Sequence, residues 1–226
     1  MRIALAVAVL ALGLGVAGCG GSKHVTRTTP PADPGRDVAA AMVGAVRIHD
    51  AAEVWALLST PTQFRLGPTL ADFRRRSWPE LERTLGYFAS RPYRLVVSER
   101  VVGPFGVVAI ASGCCHAYAF PMRREHGAWR AELAPGRVRI DVLGPQPGSS
   151  GHVQQIAFEA RGAGEGATAV LYADGVTLLS KEYPGAKSST VFANLQSPLA
   201  RGHHNAVAFA ARGNSAAARA WTFVAR

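Results

Sequence analysis

Residues 118–133 read YAFPMRREHGAWRAEL. Tyr118, Phe120 and Met122 share one side of an alternating run, Glu125-His126-Gly127 supplies a turn, and the apolar pattern resumes from Trp129 to Leu133. A period of two interrupted by a Gly-containing turn predicts a β-hairpin. Toward the N-terminus, residues 105–111 form a nearly continuous apolar run and residues 93–102 alternate, with Gly103-Pro104 and Ser112-Gly113 as the breaks. Together these segments predict a four-stranded antiparallel meander. Before Tyr93 the period is helical: Val38, Met42 and Val46 recur every fourth residue. Asp50-Ala51-Ala52-Glu53 reads as a capping box for a segment carrying Val54, Trp55, Leu57 and Leu58, which Pro61 ends. Thr69-Leu70-Ala71-Asp72 and Ser77-Trp78-Pro79-Glu80 read as two further helix starts. Helices followed by a meander predict an α+β layer arrangement over residues 37–135.

Ala134-Pro135-Gly136 reads as a domain boundary. Beyond it, short apolar segments recur at 138–143, 153–160, 167–173, 176–179, 189–195, 205–211 and 218–224, joined by Gly-, Pro- and Ser-rich stretches. Asp174-Gly175 is a strong two-residue hairpin signal. Short strands at such spacing predict a β-sandwich over residues 136–226.

Hydrophobic residues make up 48% of the chain and charged residues 18%, which suits packed cores and excludes disorder. The formal net charge is +10, and only Lys23, Lys181 and Lys187 are lysines, so arginine carries most of it. The excess is spread over both halves, with no run denser than Arg74-Arg75-Arg76. A nucleic-acid binder concentrates its charge on a stripe, so no nucleic-acid partner is expected. Two readings of the excess stand: attraction to anionic lipid or envelope polymer, and an arginine-rich coding bias.

The first residues carry an address. Met1-Arg2 is a positive start, residues 3–16 are apolar or small, and Val16-Ala17-Gly18-Cys19-Gly20 follows. This is the form of a secretory signal. With a cysteine directly after the small residues it resembles the lipobox of bacterial lipoproteins. The resemblance implies cleavage after residue 18 and diacylation of Cys19, giving a lipid anchor on the extracytoplasmic face of the cell membrane. The competing reading is an uncleaved anchor, for which the run is short. Residues 19–36, rich in Gly, Ser, Thr and Pro, read as a flexible tether.

Residues 38–133 resemble the NTF2-like superfamily through DAAEVWALLS (50–59), RPYRLVVSERVVGPFGVVAI (91–110) and YAFPMRREHGAWRAEL (118–133). The resemblance implies a cone, in which a strongly bent sheet wraps helices and leaves a pocket between them. Members include isomerases, dehydratases and non-catalytic modules of penicillin-binding proteins. Residues 137–226 resemble bacterial Ig-like domains of surface proteins through ATAVLYADGVTLL (167–179), GHHNAVAFAARG (202–213) and AARAWTFVAR (217–226). The Cys pair and buried strand Trp of antibody domains are missing from this segment's pattern.

A pocket enzyme would need a carboxylate or histidine base with polar oxyanion partners at low dielectric. The pocket candidates are His116, Asp72, Tyr87, Tyr93 and Tyr118, each with an ordinary structural role as the alternative. Trp55, Phe64, Trp78 and Phe88 are candidates for an apolar mouth or for core. Cys114 and Cys115 are expected to be small, mostly buried free thiols, since neighbours in a strand diverge; a vicinal disulfide is the rarer alternative. His203-His204 diverge for the same reason and have no acidic neighbour in sequence, so no metal is expected. HExxH, GxSxG, GxxxxGK[ST], SxxK and KTG patterns do not occur, and the glycines at 162–166 read as a turn. No cofactor is expected. The expected function is a non-catalytic binding or interaction module, lipid-anchored in the cell envelope, with an envelope protein or anionic polymer as partner. The alternative is an envelope enzyme or small-ligand binder using the cone pocket.

Overall fold

The computed structural model describes residues 34–134, 136–163, 166–183 and 188–226. The signal, Cys19, most of the tether and Pro135 at the expected boundary lie outside the described residues. Helix α1 spans Pro34–Arg47 and starts earlier than its apolar period, taking in the end of the expected tether. Gly35 explains the early start: a Cβ there would sit 2.2 Å from Ser98 Oγ and 2.5 Å from a Val108 methyl, so the chain is already docked.

The caps act largely as read. Asp50 accepts from the amides of Ala52 and Glu53 at the start of α2 (Ala51–Leu57). Pro61 does not simply end this helix; it occupies the first turn of α3 (Thr60–Leu66), where its missing N–H costs nothing, and Ser59 is the cap. Thr69 caps α4 (Leu70–Arg76). Ser77, expected to cap α5 (Trp78–Ala89), instead donates its hydroxyl to the Leu66 carbonyl at 2.6 Å.

The meander follows as β1 (Arg94–Val102), β2 (Phe105–Ser112), β3 (His116–Glu125) and β4 (Ala128–Ala131), paired in that order. His126 and Gly127 turn the last hairpin with φ of 48° and 83°. The remaining strands are β5 (Arg139–Gly144), β6 (Ser150–Gly151), β7 (Gln155–Arg161), β8 (Ala167–Ala173), β9 (Val176–Tyr183), β10 (Ser188–Asn194), β11 (Gly202–Arg212) and β12 (Ser215–Ala225). They form a three-stranded sheet, β10-β7-β5, and a five-stranded sheet, β6-β12-β11-β8-β9. Ile140, Ile156, Phe158 and Val191 of the first meet Leu171, Ala208, Trp221 and Phe223 of the second, which makes a β-sandwich. Asp174 and Gly175 turn the β8–β9 hairpin with positive φ, as the dipeptide demands.

The expected NTF2-like cone is not formed. Strand outweighs helix, 49% to 25%, and the meander is a middle layer with both faces covered. Val108, Ile110, Phe120 and Met122 pack against Met42, Phe73, Leu85 and Phe88 of the helices. On the opposite face Val97, Phe105, Val107 and Ala109 pack against Tyr172, Val207, Phe209 and Ala211 of the five-stranded sheet. The order of layers is therefore helices, four-stranded sheet, five-stranded sheet, three-stranded sheet. The physical reason lies in β2, where every residue is buried. A strand apolar on both sides must bury both, and curling round one set of helices would leave half of it wet. No helix among the described residues is long and apolar enough to cross a membrane.

Candidate functional site

The β11–β12 turn is held from below by one buried arginine. Arg123 of β3 donates from Nη1 to Asn214 Oδ1 and from Nη2 to the Asn214 carbonyl (2.9 Å), while its Nε donates to Glu132 Oε2 at 2.8 Å. Ser59 Oγ donates to the same carboxylate oxygen at 2.6 Å, tying the helices into the network. Above it, Val138 N donates to Ser215 Oγ at 3.2 Å. Gly162, at φ +68°, passes so close that a Cβ would lie 2.2 Å from the Arg137 carbonyl oxygen.

These contacts shape a cleft of about 490 Å³ lined by Arg65, Arg137, Val138, Gly162, Arg212, Gly213, Asn214 and Ser215. Its three arginines come from α3, from the segment before β5 and from the end of β11. No carboxylate is among the described lining residues. Such a cleft attracts anions, and planar guanidinium groups match phosphate or carboxylate oxygens in pairs. Arg123 adds no further net charge, because Glu132 neutralises it.

The five pocket candidates do not line one cavity, although His116 and Tyr87 meet. Asp72 accepts from Thr69 Oγ1 and from Arg75 Nη2 at the first turn of α4, a capping role. His116 is exposed at the start of β3 and stacks on Tyr87 with ring centroids 3.7 Å apart. The Arg91 guanidinium covers the Tyr87 ring at 4.1 Å. Tyr93 is half-buried beside Arg47 and Arg91 in a shallow groove. Tyr118 lines a groove of about 360 Å³ with Leu66, Ser77, Glu80, Leu81, Thr84 and Leu133. Burial, then the charge of Glu80, pushes its phenol up to about 12, so it stays protonated at neutral pH. Of the aromatics, Phe88 is core, Trp55 and Trp78 are half-buried, and Phe64 alone stands out in solvent at 75% exposure. Trp55 Nε1 is satisfied by the Gly67 carbonyl at 3.1 Å.

The cysteine expectation is overturned. Cys114 and Cys115 are exposed and joined in a vicinal disulfide. Ser112 pairs with His116 across the hairpin, so the two cysteines sit in the three-residue turn Gly113-Cys114-Cys115, where strand alternation does not separate neighbouring side chains. His203 and His204 do diverge. His204 is buried, with Nδ1 2.6 Å from Asp174 Oδ2 and Nε2 2.7 Å from the Ala200 carbonyl oxygen, so it has an acidic partner after all. His203 is exposed, and its ring lies with both cysteine sulfurs in a group whose donor atoms are all within 4.8 Å of one another. Neither this group nor the arginine cleft has a local sequence signal, since each assembles residues from segments far apart in the chain.

No protein-family model matches the chain, and no curated protein does. Solved structures share only local similarity with the chain, and two of them show its extent. A lytic polysaccharide monooxygenase from Jonesia denitrificans is 18% identical over 36% of this chain and 60% of its own, with a TM-score of 0.28. A CARDB domain from Pyrococcus furiosus, in complex with di-metal ions, is 15% identical over 39% of this chain and 92% of its own, with a TM-score of 0.26. The chain thus spans less than two thirds of the monooxygenase. Overlap this slight carries no argument about activity.

Proposed function

We propose that this chain is a lipid-anchored protein of the extracytoplasmic membrane face whose folded part is a non-catalytic module for an anionic envelope polymer. The observation that carries the reading is the cleft that Arg137 and Arg212 line together with Arg65. The signal and Cys19 pattern support the address, and the arginine-rich charge suits a polyanion at close range.

The test is co-sedimentation of the full chain with cell-wall material carrying poly(glycerol phosphate). Binding is expected to weaken with salt and to fall at least about tenfold in Arg65→Glu/Arg137→Glu/Arg212→Glu, since ion pairing to phosphates dominates such contacts. The exposed triplet Arg74→Glu/Arg75→Glu/Arg76→Glu changes net charge equally and is expected to retain binding through the cleft. An equal loss in both triple variants refutes a cleft-specific site.

A further inference from the structure

We propose that Cys114, Cys115 and His203 form a redox-gated site for a thiophilic d10 cation, Cu(I) or Zn(II). The turn places both sulfurs on one side, and the donor atoms of the three side chains lie within 4.8 Å of one another. An ion that holds sulfur at about 2.3 Å and imidazole nitrogen at about 2.0 Å draws its ligands to roughly 3.5–4 Å apart. Reaching that spacing requires the imidazole to draw in slightly and the two sulfurs, joined in the disulfide, to part once it is reduced, both small movements of exposed side chains on a hairpin tip. Gly113, at φ +60°, has no heavy atom within 4 Å of where a Cβ would be, so the tip has room to adjust. His116 follows Cys115 directly but is engaged on Tyr87, so the imidazole comes from the neighbouring sheet instead. Two thiolates with one imidazole form a soft donor set that selects Cu(I) or Zn(II) over hard cations.

The disulfide is the closed state, because its sulfurs have no thiolate charge to give. A dithiol reductant opens it: the Cys114–Cys115 S–S bond breaks, each sulfur receives one hydrogen, and the reductant leaves as its own cyclic disulfide. Metal entry then forms two metal–sulfur bonds and releases two protons to solvent. The bound ion would link the β2–β3 turn to the start of β11, so it binds the four-stranded sheet to the five-stranded one.

The experiment uses the full chain in detergent with Cys19→Ser, which leaves Cys114 and Cys115 as the only thiols of the three cysteines. Cu(I) and Zn(II) are titrated separately, against a chromophoric competitor, into the oxidised protein and into protein reduced with a dithiol and desalted without air. One equivalent of at least one ion is expected to bind the reduced chain, with a rise in thermal midpoint, and none the oxidised chain. Cys114→Ser/Cys115→Ser is expected to abolish binding. His203→Ala is expected to weaken it by about tenfold or more, given that losing even an outer-shell partner costs 10–100-fold, while His116→Ala leaves it in place. No stoichiometric binding of either ion after reduction overturns the site. So does undiminished affinity in His203→Ala or in the double serine variant; all these positions are exposed, so misfolding does not confuse the result.

Discussion

Arg123 and Asn214 are 91 residues apart in sequence, yet Arg123 Nη2 donates to the Asn214 carbonyl at 2.9 Å. The same guanidinium pairs with Glu132 at 2.8 Å, with both side chains less than a tenth exposed. One buried ion pair therefore fixes both the helical layer, through Ser59, and the turn that lines the arginine cleft. Arg123→Met leaves Glu132 buried without its counter-charge, and a loss of about 3–5 kcal/mol is expected for such a deletion. Arg123→Met/Glu132→Leu removes both charges and is expected to lose less than the single variant. Urea unfolding of the two variants checks the ordering.

The shared core between the four- and five-stranded sheets gives a second expectation. Phe209 is fully buried there, beside Val207 and Tyr172, and the Tyr172 hydroxyl donates to Glu99 of the opposite sheet. Burial, then the hydrogen bond to Glu99 and its charge, raises the Tyr172 pKa, so this phenol stays neutral. Phe209→Ala is expected to cost about 3–5 kcal/mol. Helical and sheet signals should fall in one transition, because the four-stranded sheet that loses this contact carries the helices on its other face. A fragment ending at residue 135 exposes Phe105, Val107 and Ala109 and is expected to aggregate; a soluble, cooperatively folded fragment would contradict this.

His204 supplies a pH dependence. Each of its ring nitrogens faces an acceptor, Asp174 Oδ2 and the Ala200 carbonyl oxygen, and only the doubly protonated ring donates to both. Burial opposes the charge, but the hydrogen bonds to Asp174 and Ala200 and the Asp174 charge outweigh it, and the pKa is raised. A raised folded value means that the stabilisation is complete below the unfolded pKa of about 6.5 and disappears as pH rises through the folded value. The gap in urea midpoint between wild type and His204→Ala is therefore expected to be widest in acid and to narrow with rising pH. A gap that widens toward alkaline pH would reverse the assignment.

The elements themselves were legible because their signals are local. Asp50 and Thr69 cap the helices their sequences announced, and β8 occupies the apolar run 167–173. The stacking of layers was not legible in the same way. Val107 and Val108 face opposite covers, and a run apolar at every position states that both faces are buried without naming what buries them. The family likeness supplied one cover, the helices, and the second came from strands a hundred residues on. Pro61 misled for a related reason: proline is barred from a helix interior, so it marks either the end of one helix or the first turn of the next, and the sequence alone does not separate these. The sites were hidden more deeply still. Arg65, Arg137 and Arg212 meet only once the layers are stacked, and Cys114 needs a turn, not a strand, to reach its neighbour.

The address is tested at Cys19, which lies outside the described residues. The lipoprotein reading assigns this thiol a diacylglyceryl group, and the folded body from α1 onward is built without it. Cys19→Ala is therefore expected to move the protein from the membrane fraction to the soluble fraction. Its unfolding free energy in urea should stay within about 0.5 kcal/mol of wild type, as for a substitution remote from packed structure. Labelling with a radioactive fatty acid should mark the wild type and not the variant. If the variant stays in the membrane, with its apparent mass increased by the uncut leader, residues 3–16 act as an uncleaved anchor, and the lipid on Cys19 is not what holds the arginine cleft near the envelope.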